Sequence, residues 1–138
     1  MVGFVEITRV EEFSAAHRLH SKFLSEEENQ KLYGKCNGAT CHGHNYKLKV
    51  TIRNVPDSET GMAYNLCKLK TEIGVILEQL DHKNLTYDVE YFKDHVSTTE
   101  NLAIYVWNEL KKIMSFPELL WKVCIKETSK NSFAYFGP

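Results

Sequence analysis

The chain has 138 residues, enough for one domain that needs no disulfide staple, and its 43% hydrophobic and 25% charged residues are ordinary for a soluble globular protein. A net charge of −1 excludes nucleic-acid binding through bulk charge, and no apolar run approaches the length that crosses a bilayer. We expect a single domain over residues 1–138. The N-terminal stretch alternates and carries acids, unlike a signal or transit peptide. With four unevenly spaced cysteines, this predicts a cytoplasmic protein with reduced thiols, no membrane association and no nucleic-acid partner.

In chain order, Phe4 to His17 is rich in strand formers. Val5, Ile7, Phe13, Ala15 and His17 share one parity, and Arg9 and Glu11 interrupt it, so a bulge or a solvent-facing middle is expected. Ser25 and Glu28 form a capping box before a short helix that Gly34 stops. From His42 to Arg53 the alternation is sharp. His42, His44, Tyr46, Leu48, Val50 and Ile52 take one face, and Asn45, Lys47, Lys49, Thr51 and Arg53 the other. Met62 to Tyr64 are expected to return as a strand. Leu66, Leu69, Ile73, Ile76, Leu77 and Leu80 have helical spacing behind an Asn65 cap. A second helix is predicted behind a capping box of Ser97 and Glu100, with Leu102, Ala103, Val106, Leu110 and Ile113 as its stripe. Trp121, Val123, Ile125 and Glu127 then share the buried parity of a closing strand. This order predicts an α+β layer, with both long helices on the apolar face of an antiparallel sheet.

His42 and His44, at i and i+2 of a strand, point the same way and can reach one ion. His17, at the end of another strand, makes a third imidazole, and three imidazoles with an open fourth position are the donor set of a catalytic zinc. A closed structural site of Cys36, Cys41, His42 and His44 offers suitable ligand types at poorer spacing, and residues alone leave both readings open. Cys36 follows Lys35 in a glycine-bounded loop, where a neighbouring cation favours thiolate. Asp81 beside His82 fits either an acid–base pair or an ordinary helix C-terminus. Glu127 ends a buried face, so its carboxylate must find donors or stay wet; a ligand with paired N–H groups would supply them. Thr98 and Thr99 could donate to a ligand, and Glu100 has the capping role as its alternative.

Together, "FSAAHRLHS", "LSEEEN", "YGKCN", "HGHNYK", "TGM", "DHKNL", "VSTTEN" and "KETSKN" resemble the 6-pyruvoyl tetrahydropterin synthase family, in family order over nearly the whole chain. The resemblance implies a four-stranded antiparallel sheet with two helices on one face. It also implies three sheets joined into a barrel and two trimers stacked into a homohexamer with active sites at subunit interfaces. That would turn Lys47, Lys49, Arg53, Lys122 and Lys126 toward the barrel interior. It makes His17, His42 and His44 the ligands of one zinc ion per subunit and Cys36 the proton-abstracting thiolate. Asp81 and His82 become acid–base partners from an adjacent subunit, and Glu127 becomes the pterin anchor with Thr98, Thr99 and Glu100 near it. The implied substrate is 7,8-dihydroneopterin triphosphate, and the products are 6-pyruvoyl tetrahydropterin and triphosphate, in tetrahydrobiopterin biosynthesis.

The loop Asn37-Gly38-Ala39-Thr40-Cys41 departs from the family's usual Asn-Asn-Pro-Asn-Gly, placing a second sulfur where glycine is common. The alternatives are a 6-carboxy tetrahydropterin synthase, whose cysteine lies nearer its paired histidines, and a zinc- and pterin-binding module without catalysis.

Overall fold

The computed structural model describes residues 2–138. Two long strands form its spine: β1 (Val5–His17) and β2 (His42–Asn54) pair antiparallel in continuous register from Val5 opposite Asn54 to His17 opposite His42. β1 therefore has no bulge in this ladder. Its middle is solvent-facing, and Arg9 satisfies itself against Glu11, two residues on and on the same face, at 2.6 Å. Strand β4 (Leu120–Lys126) pairs with the other side of β2, and β5 (Ser132–Tyr135) pairs with β4. The two-residue strand β3 (Lys83–Asn84) runs parallel to the end of β1, giving the order β3-β1-β2-β4-β5. The sheet thus has five strands and is mixed, rather than four and antiparallel; the four longer strands do run antiparallel.

Helices α2 (Leu66–Leu80) and α4 (Thr99–Ile113) lie on one sheet face. Leu69, Ile73, Ile76 and Leu80 of α2, with Leu102, Val106 and Leu110 of α4, meet Leu48, Val50, Ile52, Val123 and Ile125 of the sheet in one buried layer. Truncating one such side chain to alanine costs about 2–5 kcal/mol, so this layer fixes the strands that carry the site. Leu66 and Ile113, expected in the stripes, are exposed helix ends. Short helix α1 (Glu26–Tyr33) has its capping box as expected: Ser25 Oγ accepts from the Glu28 amide and Glu28 accepts from the Ser25 amide, each at 3.1 Å. Asn65 caps α2.

Three local expectations are corrected. Met62 to Tyr64 are not a strand. Asp57 gathers the amides of Glu59 and Thr60 on its carboxylate and that of Gly61 on its carbonyl, so the chain turns tightly and feeds directly into α2. The cap of α4 is Thr98, whose hydroxyl accepts from Asn101; Ser97 is instead hydrogen-bonded to Thr86, and Glu100 is exposed and has no capping role. The β2–β4 ladder slips between Thr51 and Ile52, pairing Ile52 with Leu120. A bulge inserts one residue and reverses the facing of what precedes it. Leu120 is therefore buried and Trp121 turns outward, over the Arg53 guanidinium at 4.5 Å. Lys47, Lys49, Arg53, Lys122 and Lys126 lie half-buried on the face away from the helices, as expected.

Candidate metal centre and its surrounding groups

The register of β1 and β2 builds the centre. Directly opposed residues of an antiparallel pair face the same way, so His17, opposite His42, joins His42 and His44 on the helix-side face. One nitrogen from each of the three lies within 4.8 Å of the others. Gly43, between the two β2 histidines, passes so close to β1 that a Cβ there would sit 3.1 Å from the Ala15 carbonyl oxygen.

His17 is 1% exposed. Its Nδ1 lies 2.6 Å from the Ser97 carbonyl oxygen, which can only accept, so the ring proton sits on Nδ1 and Nε2 keeps its lone pair. That Nε2 is 3.0 Å from His42 Nε2. Burial, then the neighbouring imidazoles, hold the His17 and His42 pKa values below the ordinary histidine value, despite the nearby Glu127 carboxylate. The rings are thus neutral at neutral pH, the form that ligates metal. A carbonyl fixing one ring nitrogen while the other faces the ion is the usual support of a metal histidine. The three-imidazole set, with its His17 and His42 rings neutral, therefore fits a zinc ion.

Glu127 follows β4 directly. Its Oε1 lies 3.5 Å from His44 Nε2 and 3.9 Å from His17 Nε2, and accepts the Thr99 hydroxyl at 2.9 Å. Thr99, at the start of α4, is buried. The structure therefore brings Glu127 and Thr99 to the histidines, while Thr98 is spent on its cap and Glu100 faces solvent. Beneath them lies Tyr46, whose role sequence reasoning missed although its parity with His42 and His44 was plain. Its ring meets His44 and His17 edge-on, stacks on Phe13 at 5.0 Å, and its hydroxyl is a buried side-chain polar atom with no hydrogen-bond partner among the described residues. Burial, and then the Glu127 charge, push its pKa well up, keeping it a neutral phenol.

Cys36 sits in a 3-10 turn, Gly34–Asn37, latched to the chain just after His17. Leu19 donates to the Cys36 carbonyl at 2.9 Å. Buried Asn37 donates to the Leu19 carbonyl at 2.7 Å, and its own carbonyl accepts from Arg18 Nε at 2.8 Å. No local sequence signal marked Asn37, and the one at Ser97 pointed to a cap, because both act on residues distant in the chain. Cys41 is directed elsewhere: its Sγ accepts from Asn84 Nδ2 of β3 at 3.4 Å. Its backbone is left-handed at φ 65°, a conformation that favours glycine, the family's common residue there. The close group of ligand atoms comprises the three histidines and includes neither cysteine, which favours the open site over the closed one.

Asp81 caps the end of α2. Its Oδ1 accepts from the Ser14 amide at 2.9 Å and lies 3.0 Å from His82 Nδ1; these contacts, the amide first, hold its pKa below the ordinary carboxylate value. His82, at φ 61°, is 84% exposed along its side chain. His82 lines a cleft of about 600 Å³ together with Ser14, His44, Asn45 and Asn84. Ser14 and Asn45 belong to the lysine-bearing face and His44 to the helix-side centre, and neither Asp81 nor His82 is in the close group of ligand atoms.

A mixed sheet with a helix-side trio of histidines and a latched cysteine turn defines a class of candidate metal-site domain built on strand register. A family profile described as 6-pyruvoyl tetrahydropterin synthase matches residues 6–138. The 6-pyruvoyl tetrahydrobiopterin synthase of Homo sapiens is 51% identical over 96% of this chain and 91% of its own, and that of Drosophila melanogaster 52% over 96% and 79%. The solved 6-pyruvoyl tetrahydropterin synthase of Caenorhabditis elegans superposes with a TM-score of 0.98 at 52% identity, covering 99% of this chain and 98% of that one. The chain belongs to the 6-pyruvoyl tetrahydropterin synthase family, enzymes of tetrahydrobiopterin biosynthesis. No helix is long and apolar enough to cross a membrane among the described residues.

Proposed function

We propose that this chain is a cytoplasmic, zinc-dependent carbon–oxygen lyase converting 7,8-dihydroneopterin triphosphate to 6-pyruvoyl tetrahydropterin and triphosphate. The observation that carries this reading is the convergence of His17, His42 and His44 beside Glu127 and Thr99, in a chain that matches the family nearly end to end. The three histidines would hold zinc, whose Lewis acidity, when bound, acidifies the C–H bonds beside the substrate's hydroxyls.

The remaining work falls to side chains. Glu127 accepts the paired N–H groups of the pterin edge, with the Thr99 hydroxyl fixing the carboxylate. The Cys36 thiolate takes the proton from the first side-chain carbon, and protonation at the ring reduces its C=N bond as that carbon becomes a ketone. His82, oriented by Asp81, exchanges protons with the side-chain hydroxyls. Loss of a proton from the second carbon expels triphosphate from the third, and the enol left behind becomes a methyl ketone. Hydrogens move within the substrate and only triphosphate is lost, so no external oxidant or reductant enters.

The exposure of His82, with neither it nor Asp81 in the close histidine group, supports a site completed by an adjacent subunit. The half-buried lysine face and the sheet edges support assembly into a barrel-forming trimer and a stacked hexamer. The direct test is product analysis on dihydroneopterin triphosphate with zinc stoichiometry. Release of acetaldehyde with a carboxypterin would assign the protein to the 6-carboxy enzymes instead, and tight pterin binding without triphosphate release would make it a binding module.

A further inference from the structure

A second concavity, of about 260 Å³, lies where the chain leaves β1, between residues 18–23 and residues 86–96. Its charged lining is Arg18, Lys22 and Lys93 against one acid, Asp94, with His20 and His95 beside them. Two hydrogen-bonding observations show what these groups offer a ligand. Arg18 donates through Nε to the Asn37 carbonyl, which fixes the side chain, and its two terminal nitrogens make no hydrogen bond among the described residues. Asn37 Nδ2 donates to the Leu19 carbonyl and so must be the nitrogen; His20 Nδ1, 3.0 Å from it, therefore accepts, which leaves the His20 proton on Nε2 as a donor. A fixed guanidinium fork and an imidazole N–H beside two lysines form a site for phosphate oxygens. Lys22 and Lys93 form exposed ion pairs, with Asp94 at 3.0 Å and Glu90 at 2.7 Å, and such pairs are weak enough for a polyphosphate to replace.

This concavity is one residue away from the candidate centre along two separate stretches of chain, and Asn37 of a third holds its Arg18. Arg18 follows His17, Asn37 follows Cys36, and Val96, which lines the cleft, precedes Ser97, whose carbonyl orients His17. A knot of hydroxyls holds these stretches together: the Thr86 hydroxyl accepts the Arg18 amide at 2.9 Å and meets the Ser97 hydroxyl at 2.9 Å. A substrate with its ring at Glu127 and its hydroxyls at the histidines carries its triphosphate one carbon beyond those hydroxyls.

We infer that this cleft is the polyphosphate subsite, in which Arg18, with Lys22, Lys93 and the His20 N–H, holds the triphosphate arm and takes up the charge that develops as it leaves; the inference rests on the proposed lyase reading. Positive groups placed where charge develops act on the transition state more than on the ground state.

The test titrates inorganic tripolyphosphate into zinc-loaded protein, with zinc content measured on the same samples. Wild type is expected to bind, and to be inhibited competitively against the pterin triphosphate. Arg18→Ala should weaken tripolyphosphate about tenfold or more and raise KM, with zinc retained. Lys22→Ala and Lys93→Ala should each weaken it about two- to fivefold. Asp94→Asn, which removes the one acid, should tighten it about two- to threefold, a gain that misfolding cannot produce. Unchanged tripolyphosphate affinity across these four variants overturns the subsite, even if turnover proves the lyase reading right. Wild type that binds tripolyphosphate through these residues but releases none from the pterin substrate leaves the subsite standing and removes the lyase reading.

Discussion

The helix-side histidine centre and the Asp81–His82 pair both meet the C-terminal end of β1 but are built in opposite ways. His17 is buried, its tautomer is dictated by Ser97, and its position is set by a thirteen-residue ladder. His82 sits on a left-handed residue past a helix end, most of its ring in solvent, tied down only by Asp81 and one backbone bond to Ser14. A metal site needs donors fixed within fractions of an ångström, and a strand ladder supplies that. A proton-transfer group needs access to a substrate, and an exposed helix terminus supplies that at the cost of precision. On the proposed reading, an adjacent subunit packing over the exposed pair would supply the fixed geometry that its own chain does not.

Breaking the rigid end should have the largest effect. His17→Ala or His42→Ala is expected to abolish zinc retention and, with it, activity by well over a hundredfold, read by metal analysis and product formation; ordinary zinc content in His17→Ala would remove it from the ligand set. Next, Cys36→Ala should lose about 10²–10⁴ in turnover while keeping zinc, as expected for loss of a proton-transfer group. Cys41→Ala should stay within a few-fold of wild type, and the reverse ranking would move the chemistry to the sulfur that Asn84 holds. The exposed pair is tested by mixing: inactive Cys36→Ala and inactive His82→Ala chains, dissociated and reassembled together, should recover part of the activity, whereas persistent inactivity would put both groups in one chain's site.

Two smaller effects sharpen the same contrast. Tyr46→Phe removes a buried hydroxyl with no partner, so thermal unfolding should show unchanged stability or a gain of about 1 kcal/mol; a clear loss would reveal a bond this hydroxyl makes. Asp81, whose folded pKa lies below its unfolded value, adds stability that is full above the ordinary carboxylate pKa of about 4 and is lost as pH falls through the folded value. Asp81→Asn should flatten that acid limb in a denaturant titration and leave stability at pH 7 and above offset by a constant amount.

The sequence showed most of this rigid end. The His42–Ile52 alternation, the Ser25 box and the helix stripes are local, so period and spacing expose them. What stayed hidden depends on partners distant in the chain. Trp121 turns outward because β4 slips a residue against β2, and nothing in "LLWKVCIKE" alone encodes that slip. The alternating "SFAYF" stretch carried a strand signal for β5, with Phe133 opposite Ile125 and Tyr135 opposite Val123, but its four residues are too few to stand out from a tail. Ser97 looked like a cap because its local pattern fits one; its carbonyl goes to His17, eighty positions away, and Thr98 caps instead.

Gly43 has the place of a spacer gauge. It sits between two imidazoles and opposite Ala16, and its missing side chain lets β2 close to contact with the Ala15 carbonyl. A methyl group there would wedge the two strands apart at the pair that sets His17 against His42. The bite of the metal centre is therefore set by a residue with no donor atom, and Gly43→Ala should widen that bite and weaken zinc retention while leaving all three imidazoles in place.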